Sequence, residues 1–208
     1  MTTPAPKKFP LIPVIVGIGA VALIATVLLT MSTPTSGGEF GSPTVTGTAL
    51  PLAGANPDPA LGLIISEVVG ADFDGTEVRI SNDGRAKMLI FLAHWCSHCQ
   101  AEVPVVQDWL DAGSLPDNVD LIGVATNTNS ARPNFPPSQW LAGEGWEVPT
   151  IVDDERYSIA TAYGLDAFPF FVFVSPDGLV VGRLSGELPP ETLTEIATTL
   201  SAMVATGG

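Results

Sequence analysis

Residues 11–31 form the longest uncharged apolar stretch of the chain, LIPVIVGIGAVALIATVLLTM, 21 positions in a row. At about 1.5 Å per residue a helix of that length crosses a hydrocarbon core of roughly 30 Å, so the pattern predicts an N-terminal transmembrane helix. A cleavable signal peptide competes with this reading, but its apolar region normally covers only about 7 to 15 residues before a small-residue cleavage site. Thr30-Met31-Ser32 offers no such site, and no cysteine follows to accept a lipid. Both observations favour an uncleaved signal-anchor.

Beyond the span the pattern changes. Residues 32–60 are dominated by Pro, Gly, Ser, Thr and Ala, which predicts a flexible linker. From 61 to 208, short apolar runs alternate with helical periodicity, as in one folded domain. Residues 63–69 and 76–80 read as a hairpin turning through Asp72-Phe73-Asp74-Gly75. Residues 88–93, MLIFLA, are continuously apolar, the mark of a central strand buried on both faces. Helical spacing then begins at Cys96, with Val103, Val106, Gln107 and Leu110 on one side and Pro104 inside, and ends near Gly113.

A second buried strand is predicted over 119–125, followed by a Pro- and Asn-rich loop to 137 and a short helix over 138–143. Residues 151–163 read as containing a further helix, 170–174 (FFVFV) as a strand, and Ser175-Pro176-Asp177-Gly178 as a tight turn into a strand over 179–184. The last helix follows Pro189-Pro190, with Leu193, Ile196, Ala197, Leu200 and Val204 on one apolar stripe. The class is α/β, a mixed central sheet flanked by helices.

Charge gives the span a direction. The only basic residues before Arg79 are Lys7 and Lys8, and all 22 acidic residues follow the apolar run. The positive-inside rule therefore puts residues 1–10 in the cytoplasm and the domain outside, as a single-pass protein of the cell membrane. A net charge of -14 repels phosphate backbones and argues against a nucleic-acid partner.

The chain has only two cysteines, in Trp95-Cys96-Ser97-His98-Cys99, so a disulfide framework between distant segments is excluded. A Cys-X-X-Cys at the junction of a buried strand and a helix reads as a redox pair that needs no cofactor. The helix N-terminus favours a thiolate at Cys96, the candidate nucleophile, while Cys99 lies one turn inward as the resolving thiol. Trp95 and His98 flank the sulfur and are candidates to tune the thiolate; an imidazolium at His98 would favour the reduced form. Glu102, three residues after Cys99, falls on the same helix side and is either a proton shuttle or a solvated carboxylate. Phe168-Pro169, before the FFVFV strand, is where a cis-proline loop would meet Cys96 and pair with a substrate strand. The alternative to exchange is copper or zinc binding, as in a metallochaperone, by His94, His98 and the two cysteines.

The segment from Phe91 to Pro104, FLAHWCSHCQAEVP, resembles the active-site segment of the TlpA-like bacterial thioredoxins, the group of the ResA and CcmG proteins. The likeness extends over residues 72–80, Phe168-Pro169 and Asp177-Gly178. It implies a thioredoxin-like fold and a membrane-tethered exchanger acting on protein thiols or disulfides, recycled by a membrane redox partner. It also implies that Cys96 and Cys99 are the redox pair, Glu102 an active-site acid and Pro169 the cis-proline. Thioredoxin itself carries a buried Asp where this chain has Ile90, so Glu102 is the remaining proton acceptor. Ser97-His98 departs from the Glu-Pro common among the family's reductants and resembles the oxidising DsbA-type motif; Phe168 departs from the small or β-branched residue usual there. The direction of electron flow stays open at this point.

Overall fold

The computed structural model describes residues 1–2 and 39–205; the predicted span at 11–31 lies outside the described residues. Eight strands and four helices follow in chain order among those described. They are β1 (Thr44–Thr46), β2 (Glu67–Ala71), β3 (Glu77–Ile80), β4 (Ala86–Leu92), α1 (Ser97–Asp111), β5 (Val119–Ala125) and α2 (Pro137–Gly143). After these come β6 (Thr150–Val152), α3 (Ser158–Ala162), β7 (Phe170–Val174), β8 (Val180–Ser185) and α4 (Pro190–Ser201). A five-stranded sheet runs β6-β5-β4-β7-β8 and a three-stranded sheet β1-β2-β3. β4 pairs parallel with β5 and antiparallel with β7, so the central sheet is mixed.

Every residue of β4 is buried, and strand alternation splits its side chains between two cores. Met88, Ile90 and Leu92 join Val103, Val106 and Trp109 of α1, Trp140 of α2 and Leu193, Ala197 and Leu200 of α4. Leu89 and Phe91 point the other way, to Val68, Ile80, Ile159 and Tyr163. Each fully buried Leu, Ile or Phe contributes about 2 kcal/mol through apolar surface removed from water. The sheet is thus covered by α1, α2 and α4 on one face, and by the smaller sheet and α3 on the other.

Two predicted helices are shorter than the segments that contain them. The helix expected within 151–163 is present as Ser158–Ala162, and the start of that segment belongs to a strand: β6 pairs parallel with β5 through Gly123↔Thr150 and Ala125↔Val152. The apolar stripe of α4 ends at Leu200, since Val204 lies beyond the helix and is exposed.

Residues 39–60 are not a tether but part of the fold. β1 pairs antiparallel with β2, Leu50 is buried, and the Leu50 and Ala53 amides donate to the Ala162 and Gly164 carbonyls. The reason lies in one distant cation. The Arg183 side chain is fully buried and grips Asp58 with Nε and Nη2 at 2.9 and 2.5 Å. Its Nη1 donates to the carbonyls of Pro51 and Tyr163. Gly164 (φ +67°) lets this strap close, because a Cβ there would lie 2.1 Å from the Pro51 carbonyl oxygen. Removing one partner of a buried ion pair strands the other, so Arg183→Ala is expected to lose about 3 kcal/mol of stability. Urea unfolding checks this: an unchanged midpoint would mean that the clamp carries no weight.

Candidate active site

β4 delivers the chain through Ala93, His94 and Trp95 to Cys96, the N-cap residue of α1. Cys96 has extended backbone angles (φ -79°, ψ 120°), its carbonyl accepts from the Gln100 amide at 3.1 Å, and no side chain caps the helix. No acidic residue occupies the first turn, so the positive end of the helix is left for the sulfur. Cys96 is half-buried and Cys99 is fully buried, both as free thiols. Burial pushes the Cys99 thiol far above the usual range; the charges of Cys96 and Glu102 add to this, and a backbone hydrogen bond from Ala93 opposes it. The two sulfurs therefore differ as attacking and waiting thiols should.

Glu102 lies one turn deeper on the same face of α1 and is 1 % exposed. Both of its oxygens accept from the Leu188 amide, at 3.2 and 3.1 Å. Burial pushes its pKa up to about 7, helped by the charge of Glu187 and opposed by the Leu188 hydrogen bond. A carboxyl in this setting exchanges a proton near neutral pH, unlike a solvated surface carboxylate.

The Phe168–Pro169 bond is cis, and the Phe168 carbonyl lies 3.9 Å from the Cys96 sulfur, which donates to it. The Phe168 ring meets Trp95 edge-on, with centroids 5.9 Å apart. Trp95 is held in turn by its indole N–H, 2.8 Å from the Asn127 carbonyl, and by the Arg132 guanidinium over its ring. Cys96, Cys99, Glu102, Trp95, Phe168 and Pro169 thus come together although about 70 residues separate the two groups. His98 is at the same mouth, but its Nδ1 is engaged with Glu187, at 2.7 Å.

His94 has a different part from the one weighed in sequence. Its buried ring donates from Nδ1 to the Pro133 carbonyl at 2.7 Å and accepts the Asn129 amide at Nε2, at 3.1 Å. Burial lowers its pKa, with the charge of Arg132 adding and the Pro133 bond opposing. A neutral ring with both nitrogens occupied pins the 126–136 loop beside Trp95 and has no lone pair left for a metal. Among the described residues no group of three or more His, Cys, Asp or Glu is placed to hold one. Asn127, Arg132 and Glu187 were invisible in sequence because each acts through a partner more than 30 residues away.

Comparison with known proteins agrees with this geometry. The thiol-disulfide oxidoreductase ResA of Bacillus thuringiensis (strain Al Hakam) is 28% identical over 127 residues, 60% of this chain and 69% of that protein. ResA of Oceanobacillus iheyensis is 27% identical over 140 residues, 67% of each. Among solved structures, MTB dsbF in its mixed oxidized and reduced forms aligns with a TM-score of 0.54 at 25% identity, over 64% of this chain and 93% of that one. StoA from Bacillus subtilis shares the fold, with a TM-score of 0.51 at 23% identity over 65% of this chain and 93% of its own. The family model described as a thioredoxin-like domain matches residues 73–200, from the β2–β3 turn to the end of α4, and the chain belongs to that family.

Proposed function

We propose that the chain is an extracytoplasmic thiol-disulfide oxidoreductase acting on protein substrates, with Cys96 attacking, Cys99 resolving and Glu102 accepting the proton of the resolving step. The observation that carries this reading is the contrast along one helix: a half-exposed sulfur at the uncapped N-terminus of α1, a buried thiol one turn inward, and a buried acid behind it.

In the reducing direction the Cys96 thiolate attacks one sulfur of a substrate disulfide. The substrate S–S bond breaks, its other sulfur leaves as a thiolate and takes a proton, and Cys96 is left in a mixed disulfide. Cys99 then gives its proton to the Glu102 carboxylate and attacks the Cys96 sulfur. The second substrate sulfur departs, two electrons have passed to the substrate, and Cys96–Cys99 is a disulfide. The oxidising direction runs the same steps backwards. Trp95, Phe168 and Pro169 form the rim against which a substrate strand would lie.

The 11–31 run and Lys7 and Lys8 before it support a cell-membrane anchor with the domain outside, where a membrane redox partner would restore the cysteine pair. The test is exchange by the full chain with a protein disulfide and a protein dithiol, followed by equilibration against glutathione. Exchange is expected, and the reduction potential then gives the direction: near about -120 mV an oxidant, below about -220 mV a reductant. No exchange in either direction would overturn the proposal.

A further inference from the structure

We propose that Glu187 is a positioning residue of the redox site, whose carboxylate competes with the Cys96 sulfur for the His98 imidazole and thereby restrains the oxidising power of the cysteine pair. This rests on the reading of Cys96 and Cys99 as an exchanging pair, and it adds a residue that lies outside the Cys-X-X-Cys motif.

His98 occupies the first turn of α1, between the two cysteines. An imidazolium there would stabilise a thiolate at Cys96 and draw electrons into the pair. Its Nδ1 is instead 2.7 Å from Oε1 of Glu187, in the loop between β8 and α4.

That loop is fastened to the active site on both sides of Glu187. The Gly186 amide donates to the carbonyl of Pro169, at 2.8 Å. The Leu188 amide donates to both oxygens of Glu102, and Leu188 is buried. Gly186 has φ +101°, a left-handed conformation that favours glycine at the bend. The backbone that carries Glu187 is therefore set by the cis-proline loop on one side and by the buried acid on the other. Its exposed carboxylate is delivered to His98 by that frame, not by chance proximity of two flexible side chains. The pair is partly exposed (68 % and 47 %), so its effect is moderate and weakened by salt.

The two ways in which Glu187 can act are separable. As a bare charge it would disfavour a thiolate to the same extent whatever stands at position 98. As a holder of His98, its removal frees the ring to pair with the Cys96 thiolate, a gain that exists only when His98 is present. The experiment is a double-mutant cycle on the full chain with Glu187→Gln and His98→Gln, reading the equilibrium constant with glutathione at pH 7 and low salt. Glu187→Gln is expected to move the equilibrium toward the dithiol by about threefold, the scale of a half-exposed ion pair. In the His98→Gln background the shift should fall to less than half of that. Equal shifts in the two backgrounds, a larger one in the His98→Gln background, or none in either would overturn the proposal. Failure of the unaltered chain to equilibrate with glutathione would instead remove the exchange reading, and this inference with it.

Discussion

Cys99→Ser should turn the chain into a trap. Cys96 is the half-exposed sulfur at the helix N-terminus and Cys99 is fully buried, so a substrate disulfide is opened by Cys96 and released only when the inner thiol attacks. Without that thiol the mixed disulfide has no internal exit and accumulates, visible as an adduct on non-reducing gels that vanishes with dithiothreitol. Cys96→Ser should give no adduct and lose at least about 10³-fold in exchange rate, because the only other thiol of the sequence, Cys99, is fully buried. Adducts formed by Cys96→Ser through Cys99 would mean that the roles are reversed.

The second large effect concerns the buried acid. Removing a positioned general base typically costs about 100-fold, so Glu102→Gln should slow release of the mixed disulfide by that factor. In the unaltered chain the resolving rate should rise with pH through a midpoint near 7, where the Glu102 carboxyl loses its proton; in the variant this limb should disappear. Stability supplies an independent reading. The folded state keeps the Glu102 proton up to about 7, whereas an unfolded chain releases it near about 4.3. The fold therefore loses stability as pH rises between those values, and Gln removes that loss. The variant should exceed the parent by roughly 3 to 4 kcal/mol at pH 8 and show no such gain at pH 4. A parent whose resolving rate is flat between pH 6 and 8 would sink the assignment.

The parts of the molecule legible in the sequence are those written in local runs. β5 and β7 match the predicted 119–125 and 170–174 strands residue for residue, because a doubly buried strand leaves an apolar word, broken in β5 only by the half-buried Asp120. The Cys-X-X-Cys was legible because strand, turn and helix chemistry are contiguous around it. β6 was not, since three residues between Pro149 and Asp153 carry no period of their own; the strand exists because Gly123 lets Thr150 lie close against β5. The strap of residues 39–60 has the composition of a linker, and its order comes from Arg183, more than 120 residues further along. In the site, His94 was readable only as an alternative metal ligand, through its neighbours in the sequence. What decides its role is Asn129 and Pro133, which sequence spacing does not reveal.

The same strap has a bearing on how copies of the chain meet. An outermost strand offers a row of unpaired amides and carbonyls to any passing backbone, the usual seed of sheet-to-sheet aggregation. At the start of β8 that row is already taken. Val180 receives a hydrogen bond from Gly62 and gives one to Leu63, Ile64 bridges Leu179, and the Ile65 amide donates to Gly178. Because Asp58 ties this stretch to Arg183 on β8 itself, the start of this edge strand is covered by the chain's own backbone and offers less of it to a neighbouring molecule.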